Sequence, residues 1–337
     1  MNIMFWANSP CIRTYKQAKA LRSHGVKTVL AFTGKTVGNR YPGLCADDAF
    51  DKVVSASQID VYHFVDDEKI DVIHTAHPPD DSVRKLCGAG VPVVHDFHDM
   101  YSLEKQDALL LRHEADAARY ASGLVYVTES MEAYARETYP NRAFSYRTIA
   151  NAADDIKWTP AVRPWPKDEL HIVYVAALPR WDEGHFRDMK TITEQITAQG
   201  VHLHVHAIIV RPDIVIASQT NPLFHLEPAS VGAEMIGLLS RYDAGIWHQR
   251  SDDPVTARLL NMCSPNKLYE YWQAQIPVIC IQADEPRKVV TTYRTGWMVK
   301  SYRNIIPLFE NRPTPTRQAI TMREEVTKLI SLYEEIL

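Results

Sequence analysis

Short apolar runs alternate with segments of helical periodicity along the whole chain, and this alternation constrains the fold more than any other feature. Parallel strands need a long crossover connection, usually a helix, so the pattern predicts parallel α/β architecture. In the first half, we predict strands at 2–7, 27–32, 53–54, 71–74, 92–95, 123–127 and 147–149, with helices at 14–24 and 103–121. In the second half, we predict strands at 170–176, 202–209, 224–225, 244–247, 278–282 and 297–299.

The length of 337 residues favours two domains. Pro160, Pro164 and Pro166 lie close together between the two halves and indicate a stiff, extended linker. We therefore predict a first domain at 1–158, a linker at 159–168 and a second domain at 169–321. The amphipathic segment 322–337 is predicted as a terminal helix, which could pack on its own domain or cross back to the first.

The composition, with 46% hydrophobic and 23% charged residues, is that of an ordinary soluble globular protein. A net charge of −4 argues against a dedicated nucleic-acid binder. The five cysteines form no C-x-x-C pair or His/Cys cluster, so neither a disulfide framework nor a structural zinc site is predicted. No signal peptide or membrane-spanning run is recognised, and we expect a cytoplasmic protein.

One short segment combines the marks of a helix start with those of an anion site. Ser264 suits the N-cap and Pro265 the first helical position. Lys267 and Glu270 are three residues apart and share one face of that helix. Backbone N–H groups with a lysine can bind phosphate, and a carboxylate one turn later can bind sugar hydroxyls, which together indicate a nucleotide. The alternative is a plain amphipathic helix with a surface lysine and glutamate.

The block Pro265-Asn266-Lys267-Leu268-Tyr269-Glu270-Tyr271 resembles the P-N-K-L-x-E-Y segment of the retaining glycosyltransferases called group 1 or family 4. The resemblance implies the GT-B fold, in which two Rossmann-like domains with parallel sheets face a central cleft. It also implies a nucleotide-sugar donor, with no cofactor and no metal ion. The expected acceptor is a glycan, a lipid-linked glycan or a protein.

The same resemblance suggests roles for individual residues. Lys267 and the helix N–H groups would stabilise the leaving diphosphate, and Glu270 would bind the ribose hydroxyls. The expected donor-binding residues of the second domain are Arg180, His248, Arg250, Ser264, Asn266, Lys267, Leu268 and Glu270. The chain departs from the family pattern at Ala177 and Glu183, where the family has Arg and Lys, and at Met262, where it has its first glutamate.

Two segments of the first domain are expected at the ligand crevice, because each follows a predicted strand. The segment His95-Asp96-Phe97-His98-Asp99 resembles the family's His-Asp loop, which implies that His95 faces the donor sugar as a catalytic residue. A polar loop, or a set of metal ligands, are the alternatives. Asn8 and Ser9 follow the first strand, where the family usually has glycines, and could bind the donor through hydrogen bonds.

Four basic residues lie at helical spacing after the first strand: Arg13, Lys16, Lys19 and Arg22. Such a face touches anionic membrane or a lipid-diphosphate acceptor in related enzymes, which would place the protein at the inner face of the membrane. A solvated surface stripe is the interpretation that we favour.

The sequence thus predicts a glycosyltransferase of polysaccharide biosynthesis that moves a sugar from a nucleotide sugar with retention. Two alternatives stay open. One is an epimerase or hydrolase of nucleotide sugars on the same fold. The other is a non-catalytic nucleotide- or glycan-binding protein, suggested by the missing glycines, arginine and first glutamate.

Overall fold

A computed structural model of the chain describes residues 1–35, 43–76, 81–139, 145–281 and 283–337. The chain divides into two compact units. The first comprises residues 1–155, 262–264 and 320–337, and the second comprises residues 156–261 and 265–319.

The first unit is built on a seven-stranded parallel sheet in the order β3-β2-β1-β4-β5-β6-β7. Its strands are β1 Asn2–Ala7, β2 Lys27–Phe32, β3 Lys52–Ser55, β4 Val72–Ala76, β5 Val93–Phe97, β6 Gly123–Tyr126 and β7 Ser145–Thr148. The helices described in this unit are α1 Ile12–Ser23, α2 Val61–Asp67, α3 Ser82–Leu86, α4 Tyr101–Lys105, α5 Ala108–Tyr120 and α6 Glu129–Thr138.

The second unit is built on a six-stranded parallel sheet in the order β10-β9-β8-β11-β12-β13. Its strands are β8 His171–Ala176, β9 His202–Ala207, β10 Phe224–Glu227, β11 Ala244–Trp247, β12 Val278–Ile281 and β13 Gly296–Val299. Its helices are α7 Met189–Thr197, α8 Pro212–Thr220, α9 Gly232–Leu239, α10 Pro254–Met262, whose last residue clusters with the first unit, α11 Asn266–Gln273 and α12 Asp284–Tyr293.

The last helix, α13 Met322–Ile336, belongs to the first unit. Thr321 and Glu324 form a capping box at its start, which satisfies two backbone N–H groups. Val326, Leu329 and Leu332 are fully buried in the core of the first sheet. A Cβ atom on Gly123 of β6 would lie 3.3 Å from Leu332. Because glycine has no side chain, the helix packs closely against the strand at this position.

The prediction of parallel α/β architecture is confirmed. Most predicted strands are found with ends shifted by one or two residues, as is usual for boundaries read from sequence. Residue 282, at the end of one predicted strand, lies outside the described residues. Residues 159–168 form no helix or strand and pack on the second unit, where the Trp165 ring stacks on His171 at 4.1 Å. No helix in the described ranges has the length and apolar character needed to cross a bilayer.

Candidate functional site

The strand order of the second sheet reverses beside β8, because β9 lies on one side of this strand and β11 on the other. Loops that leave the carboxyl ends of two such strands diverge, and the crevice that they leave is the usual ligand site of an open α/β sheet. In this unit the crevice is bounded by the loop after β8, residues 177–188, and the loop after β11, residues 248–253.

Two adjoining cavities occupy this edge of the second sheet. One has a volume of about 460 Å³ and the other of about 200 Å³. Both are lined by Arg250, Asp252, Ile281 and Lys300, so they form one polar depression over the ends of β11, β12 and β13. The larger one also reaches Asn261 of α10.

His248 is the first residue after β11 and lines the smaller cavity. Its side chain is buried, and its Nδ1 atom has no hydrogen-bond partner among the described residues. Burial, opposed in part by Asp188, lowers the pKa of His248 to about 4. The ring is therefore neutral at pH 7 and offers a polar atom to a ligand without adding charge.

Arg250 and Lys300 give the depression its positive charge. Arg250 is 63% exposed and lies 3.5 Å from a carboxylate oxygen of Asp252. Lys300 follows β13 and, within the described ranges, has no carboxylate at ion-pairing distance. Asp188 also lines the smaller cavity, but its carboxylate accepts from the backbone N–H groups of Gly184 and Thr191. Arg250 and Lys300 are therefore the groups that suit an anionic ligand such as a diphosphate.

Arg180 lies in the loop after β8, but its guanidinium is already paired. Its Nε donates to Asp182 at 2.9 Å, and Arg211 donates to the same carboxylate oxygen at 3.0 Å. Arg180 lines neither cavity. Glu183, which stands at the place of the family's lysine, pairs with Lys190 at 3.2 Å. The predicted contact of Arg180 with the donor therefore stays a prediction that would require this pair to open.

The predicted N-cap of the helix that we expect to bind an anion is wrong by one residue. Helix α11 begins at Asn266, and Pro265 is its N-cap with an extended backbone at ψ 134°. The Ser264 carbonyl accepts instead from the Asn151 side chain at 2.6 Å, which holds Ser264 in the first unit. Proline is tolerated at the N-cap, because the backbone N–H group that it lacks would make no hydrogen bond within the helix there.

The predicted binding residues of α11 occupy its first turns. Asn266, Lys267 and Glu270 are half-buried, and none lines either cavity. Leu268 is fully buried, and its backbone N–H donates to the Pro265 carbonyl at 3.2 Å. The Leu268 side chain packs in the core, and the nucleotide-binding roles of all four residues stay predictions.

In the first unit, the strand order reverses beside β1, where β2 and β4 flank it. Asn8 and Ser9 follow β1 as predicted from sequence. The Asn8 carbonyl accepts from the Gly34 N–H at 2.7 Å, and a Cβ atom on Gly34 would lie 2.4 Å from Asn8 Oδ1. Gly34 therefore allows the loop after β2 to approach the loop after β1 closely.

His95 does not lie in a loop, because β5 continues to Phe97. The ring is fully buried, and its Nδ1 atom lies 2.8 Å from the Thr75 hydroxyl on β4. The first residue after the strand is His98, whose Nε2 atom lies 3.7 Å from Cys11 Sγ at the start of α1. The predicted contact of His95 with a sugar stays a prediction, and His98 is the histidine found at the sheet edge.

A metal ion at this segment, the alternative interpretation, would have to compete with an ion pair at Asp96. Its Oδ2 atom accepts from Arg13 and Gln17, each at 2.8 Å. Arg13 and the other groups around this carboxylate outweigh its burial and hold the pKa of Asp96 well below its usual range. The carboxylate is thus neutralised by an internal cation.

The interpretation of a solvated basic face on α1 is wrong for two of its four residues. Arg13 and Lys16 are only 2% and 4% exposed. Lys19 and Arg22 are partly exposed, but they pair with Asp154 at 2.9 Å and Asp51 at 3.1 Å. The face thus carries little unpaired charge for a membrane, and the predicted membrane contact stays untested.

Sequence reasoning missed Lys300, Asp252 and Asn261 as lining residues. Lys300 directly follows a predicted strand, so the rule that ligands bind at carboxyl ends of strands could have identified it. Asn261 lies on α10, and no local signal distinguishes it from other polar helix residues.

Comparisons with known proteins give one family match and a set of structures of similar fold. The family model described as Glycosyltransferase Family 4 matches residues 14–156, less than half of the chain. No curated protein matches significantly in sequence.

Solved structures match the whole chain at low sequence identity. HepE from Anabaena, solved in complex with UDP-glucose, is 13% identical, with a TM-score of 0.67 over 100% of this chain and 98% of that one. A glycosyltransferase from Rickettsia africae is 12% identical, with a TM-score of 0.63 over 99% and 98% of the two chains. UDP-GlcNAc 2-epimerase from Methanocaldococcus jannaschii is 10% identical, with a TM-score of 0.57 over 98% and 99%.

At these identities the likeness concerns the fold. Two parallel-sheet α/β domains, with seven and six strands, match structures of this class from end to end. The chain therefore has the GT-B fold with two Rossmann-like domains, and its first domain is similar to glycosyltransferase family 4.

Proposed function

We propose that this protein is a glycosyltransferase that moves a sugar from a nucleotide-sugar donor to a glycan, lipid-linked or protein acceptor, with retention of configuration. The observation that carries the proposal is the polar depression at the switch point of the second sheet, with Arg250 and Lys300 beside the buried His248. The family model over the first domain and the fold shared with HepE, whose structures contain UDP-glucose and UDP, support it.

The donor diphosphate would bind to Arg250 and Lys300, and Lys267 with the first N–H groups of α11 would contribute further positive potential. Glu270 would accept hydrogen bonds from the ribose hydroxyls. The N–H groups of the helix are held by its backbone before the reaction, so they would stabilise the charge that develops on the leaving diphosphate without reorganising.

In the transfer step, the bond between the anomeric carbon and the diphosphate oxygen breaks. An acceptor hydroxyl oxygen forms the new bond on the same face of the sugar, and its proton goes to the leaving diphosphate. The protein then supplies no nucleophile, and its contribution is to orient the donor and stabilise negative charge. His95, Asn8 and Ser9 of the first unit stay predicted contacts of the donor sugar.

The first experiment is a thermal-shift panel of UDP, GDP, ADP, TDP, CDP and CMP. A nucleotide at 100 times its dissociation constant adds roughly 2.7 kcal/mol. For a domain of this size that raises Tm by about 5–10 °C. We expect one base to dominate, and we expect Arg250→Ala and Lys300→Ala each to weaken its binding about tenfold, because each removes a charged hydrogen bond.

Arg287→Ala is the matched control, since Arg287 is a half-exposed arginine of α12 that pairs with Asp284 at 2.8 Å and lines neither cavity. Lys267→Ala and Glu270→Ala are expected to lower transfer at least tenfold while the fold survives. If no nucleotide raises Tm, or if Arg287→Ala weakens binding as much as Arg250→Ala, the donor site is not where we propose it.

A second enzymatic candidate is suggested by the fold shared with UDP-GlcNAc 2-epimerase from Methanocaldococcus jannaschii. Incubation of the bound nucleotide sugar without an acceptor separates the candidates. An epimerised or hydrolysed sugar would favour this alternative, and transfer that requires an acceptor would favour the glycosyltransferase. Binding without turnover over a wide acceptor panel would indicate a non-catalytic binding protein.

A further inference from the structure

A cluster of histidines lies at the amino edge of the second sheet, opposite the edge that carries the depression described above. His171 opens β8 and His202 opens β9, and the two are register neighbours. His204 of β9 is the register neighbour of His225 on β10. Alternate residues of a strand point to one face, so these four imidazoles lie on the same face of the sheet.

A chain of three polar contacts links two carboxylates through two of these rings. Glu227 Oε1 lies 2.7 Å from His204 Nδ1. His204 Nε2 lies 2.8 Å from His171 Nδ1. His171 Nε2 lies 3.2 Å from Glu169 Oε2. Both rings are almost fully buried, whereas Glu169 is 44% exposed and reaches solvent.

Two neutral imidazoles carry two N–H protons, which is one too few for three contacts that end on ionised carboxylates. The Glu227 carboxylate takes the proton on His204 Nδ1, so His204 Nε2 accepts the proton of His171 Nδ1. The lone pair of His171 Nε2 then faces an oxygen of Glu169, and two acceptors in contact repel each other.

His202 supplies a further nitrogen at the same point. Its Nε2 atom lies 3.9 Å from Glu169 Oε2, and its Nδ1 atom lies 2.9 Å from His225. The ligand atoms of Glu169, His171 and His202 all lie within 4.8 Å of one another. The rings of His171 and His202 stack at 4.3 Å, and their Nε2 atoms lie 3.2 Å and 3.9 Å from the same Glu169 oxygen.

We propose that Glu169 Oε2, His171 Nε2 and His202 Nε2 bind a late first-row divalent metal ion, of which Zn²⁺ is the best match. Two imidazoles and one carboxylate are a known zinc ligand set, with a fourth position left for water. The ion takes the place of the missing proton between His171 and Glu169.

The groups behind the ligands support this assignment. His204, backed by Glu227, orients His171 through its Nδ1 atom, and His225 does the same for His202. Histidine ligands of metals usually donate their second N–H to such a partner, which fixes the ring. Trp165 covers His171, and the Arg163 guanidinium donates to the Glu169 carbonyl at 2.6 Å, which anchors the backbone of the carboxylate ligand.

The test uses the untagged full chain, first treated with a chelator and then titrated with Zn²⁺ by calorimetry. We expect one equivalent to bind and Tm to rise. Co²⁺ is expected to give the visible absorption of a four-coordinate site. Glu169→Gln removes a ligand from a half-exposed position without changing shape, and His202→Ala removes a second; each is expected to weaken Zn²⁺ binding at least tenfold.

His63→Ala is the matched control, because His63 is 84% exposed on α2 of the first unit, near Asp60. It is expected to leave Zn²⁺ affinity and stoichiometry unchanged. Nucleotide-induced stabilisation is expected to persist in Glu169→Gln, since the donor depression lies at the other edge of the sheet, so this proposal and the proposed function can fail separately. The absence of stoichiometric Zn²⁺ binding, or equal affinity in Glu169→Gln, His202→Ala and the unchanged chain, would overturn the site.

Discussion

Replacing Arg13 by methionine is expected to destabilise the first unit strongly. Arg13 is 2% exposed and donates to Asp96 at 2.8 Å, to the Ala150 carbonyl at 3.2 Å and to Asn151 Oδ1 at 3.0 Å. Methionine fills much of the same volume but donates no hydrogen bond. The variant therefore leaves the Asp96 carboxylate buried without its cation, with Gln17 as its remaining close donor.

Breaking a buried ion pair by removing one partner costs about 3–5 kcal/mol, because the remaining charge is uncompensated. Domains of this size are stable by about 5–15 kcal/mol, so the loss is a large share of the total. At about 2–4 °C per kcal/mol, Tm should fall by roughly 6–20 °C. The paired change Arg13→Met with Asp96→Asn removes both charges and should cost less than Arg13→Met alone.

Urea unfolding followed by tryptophan fluorescence and circular dichroism measures the change, and hydrogen exchange of β5 and α1 amides localises it to the first unit. The pH dependence gives an independent check. The folded pKa of Asp96 lies below the unfolded value of about 3.9, so its contribution to stability is complete above about pH 4 and is lost as the pH falls further. In Asp96→Asn, the free energy of unfolding should lack this part of its decrease at low pH.

A loss below about 1 kcal/mol in Arg13→Met would refute this reasoning, since it would mean that the carboxylate is solvated in the protein. A double variant as unstable as the sum of the two single ones would also contradict it, because atoms in contact should couple.

Two further changes test the local chemistry and packing of the two units. Cys11 lies at the N-cap of α1; burial alone would raise its pKa, but the charge of His98 at 3.7 Å and hydrogen bonds to His98 and Thr14 lower it to about 6. Alkylation of Cys11 by iodoacetamide, followed by mass spectrometry, should therefore reach half its maximal rate near pH 6. In His98→Gln the pH of half-maximal rate should move toward about 8.5, the ordinary pKa of a thiol. An unchanged pH profile in that variant would contradict this ion pair. Gly245→Ala should lower the free energy of unfolding by about 2–3 kcal/mol, because the new Cβ atom would lie 2.5 Å from the ring of Tyr271. The Tyr271 ring cannot move away, since its hydroxyl is hydrogen-bonded to β8 and β11. The control Gly88→Ala meets only an ordinary contact with Tyr62 at 3.5 Å, and an equal loss in both variants would refute the packing argument.

The parallel α/β class and most strand positions could be predicted from sequence, because a buried parallel strand is a local apolar run between helical segments. His248 and Arg250 were also within reach, since they follow a predicted strand and lie at the carboxyl edge. The end of β5 could not be predicted from sequence, because His95 and Asp96 are polar and interrupt the apolar run. Their hydrogen-bond partners, Thr75 and Arg13, lie on distant segments of the chain. These partners allow the polar end of the strand to be buried.

The basic residues of α1 show the same limit. Their helical spacing indicates one face of a helix, and charged faces are usually solvated. Whether a face is buried depends on what covers it, and here Asp96, Ala150 and Ala152 supply acceptors for Arg13 and Lys16. The sequence also left open which domain the terminal helix packs on. Its amphipathic pattern requires an apolar surface to pack against, but it does not specify which surface.

The sequence by itself determined most of the strands, their parallel arrangement and the resemblance of the Pro265–Tyr271 segment, because each of these depends on residues within a few positions of one another. The predicted helix at 103–121 is two helices in the structure. The tertiary structure alone decided which polar groups meet. Glu169, His171 and His202 converge only because parallel pairing of β8 and β9 sets His171 beside His202, and no local spacing encodes that register. Arg250 and Lys300 are also distant in sequence, and they share one depression because parallel strands end at the same edge.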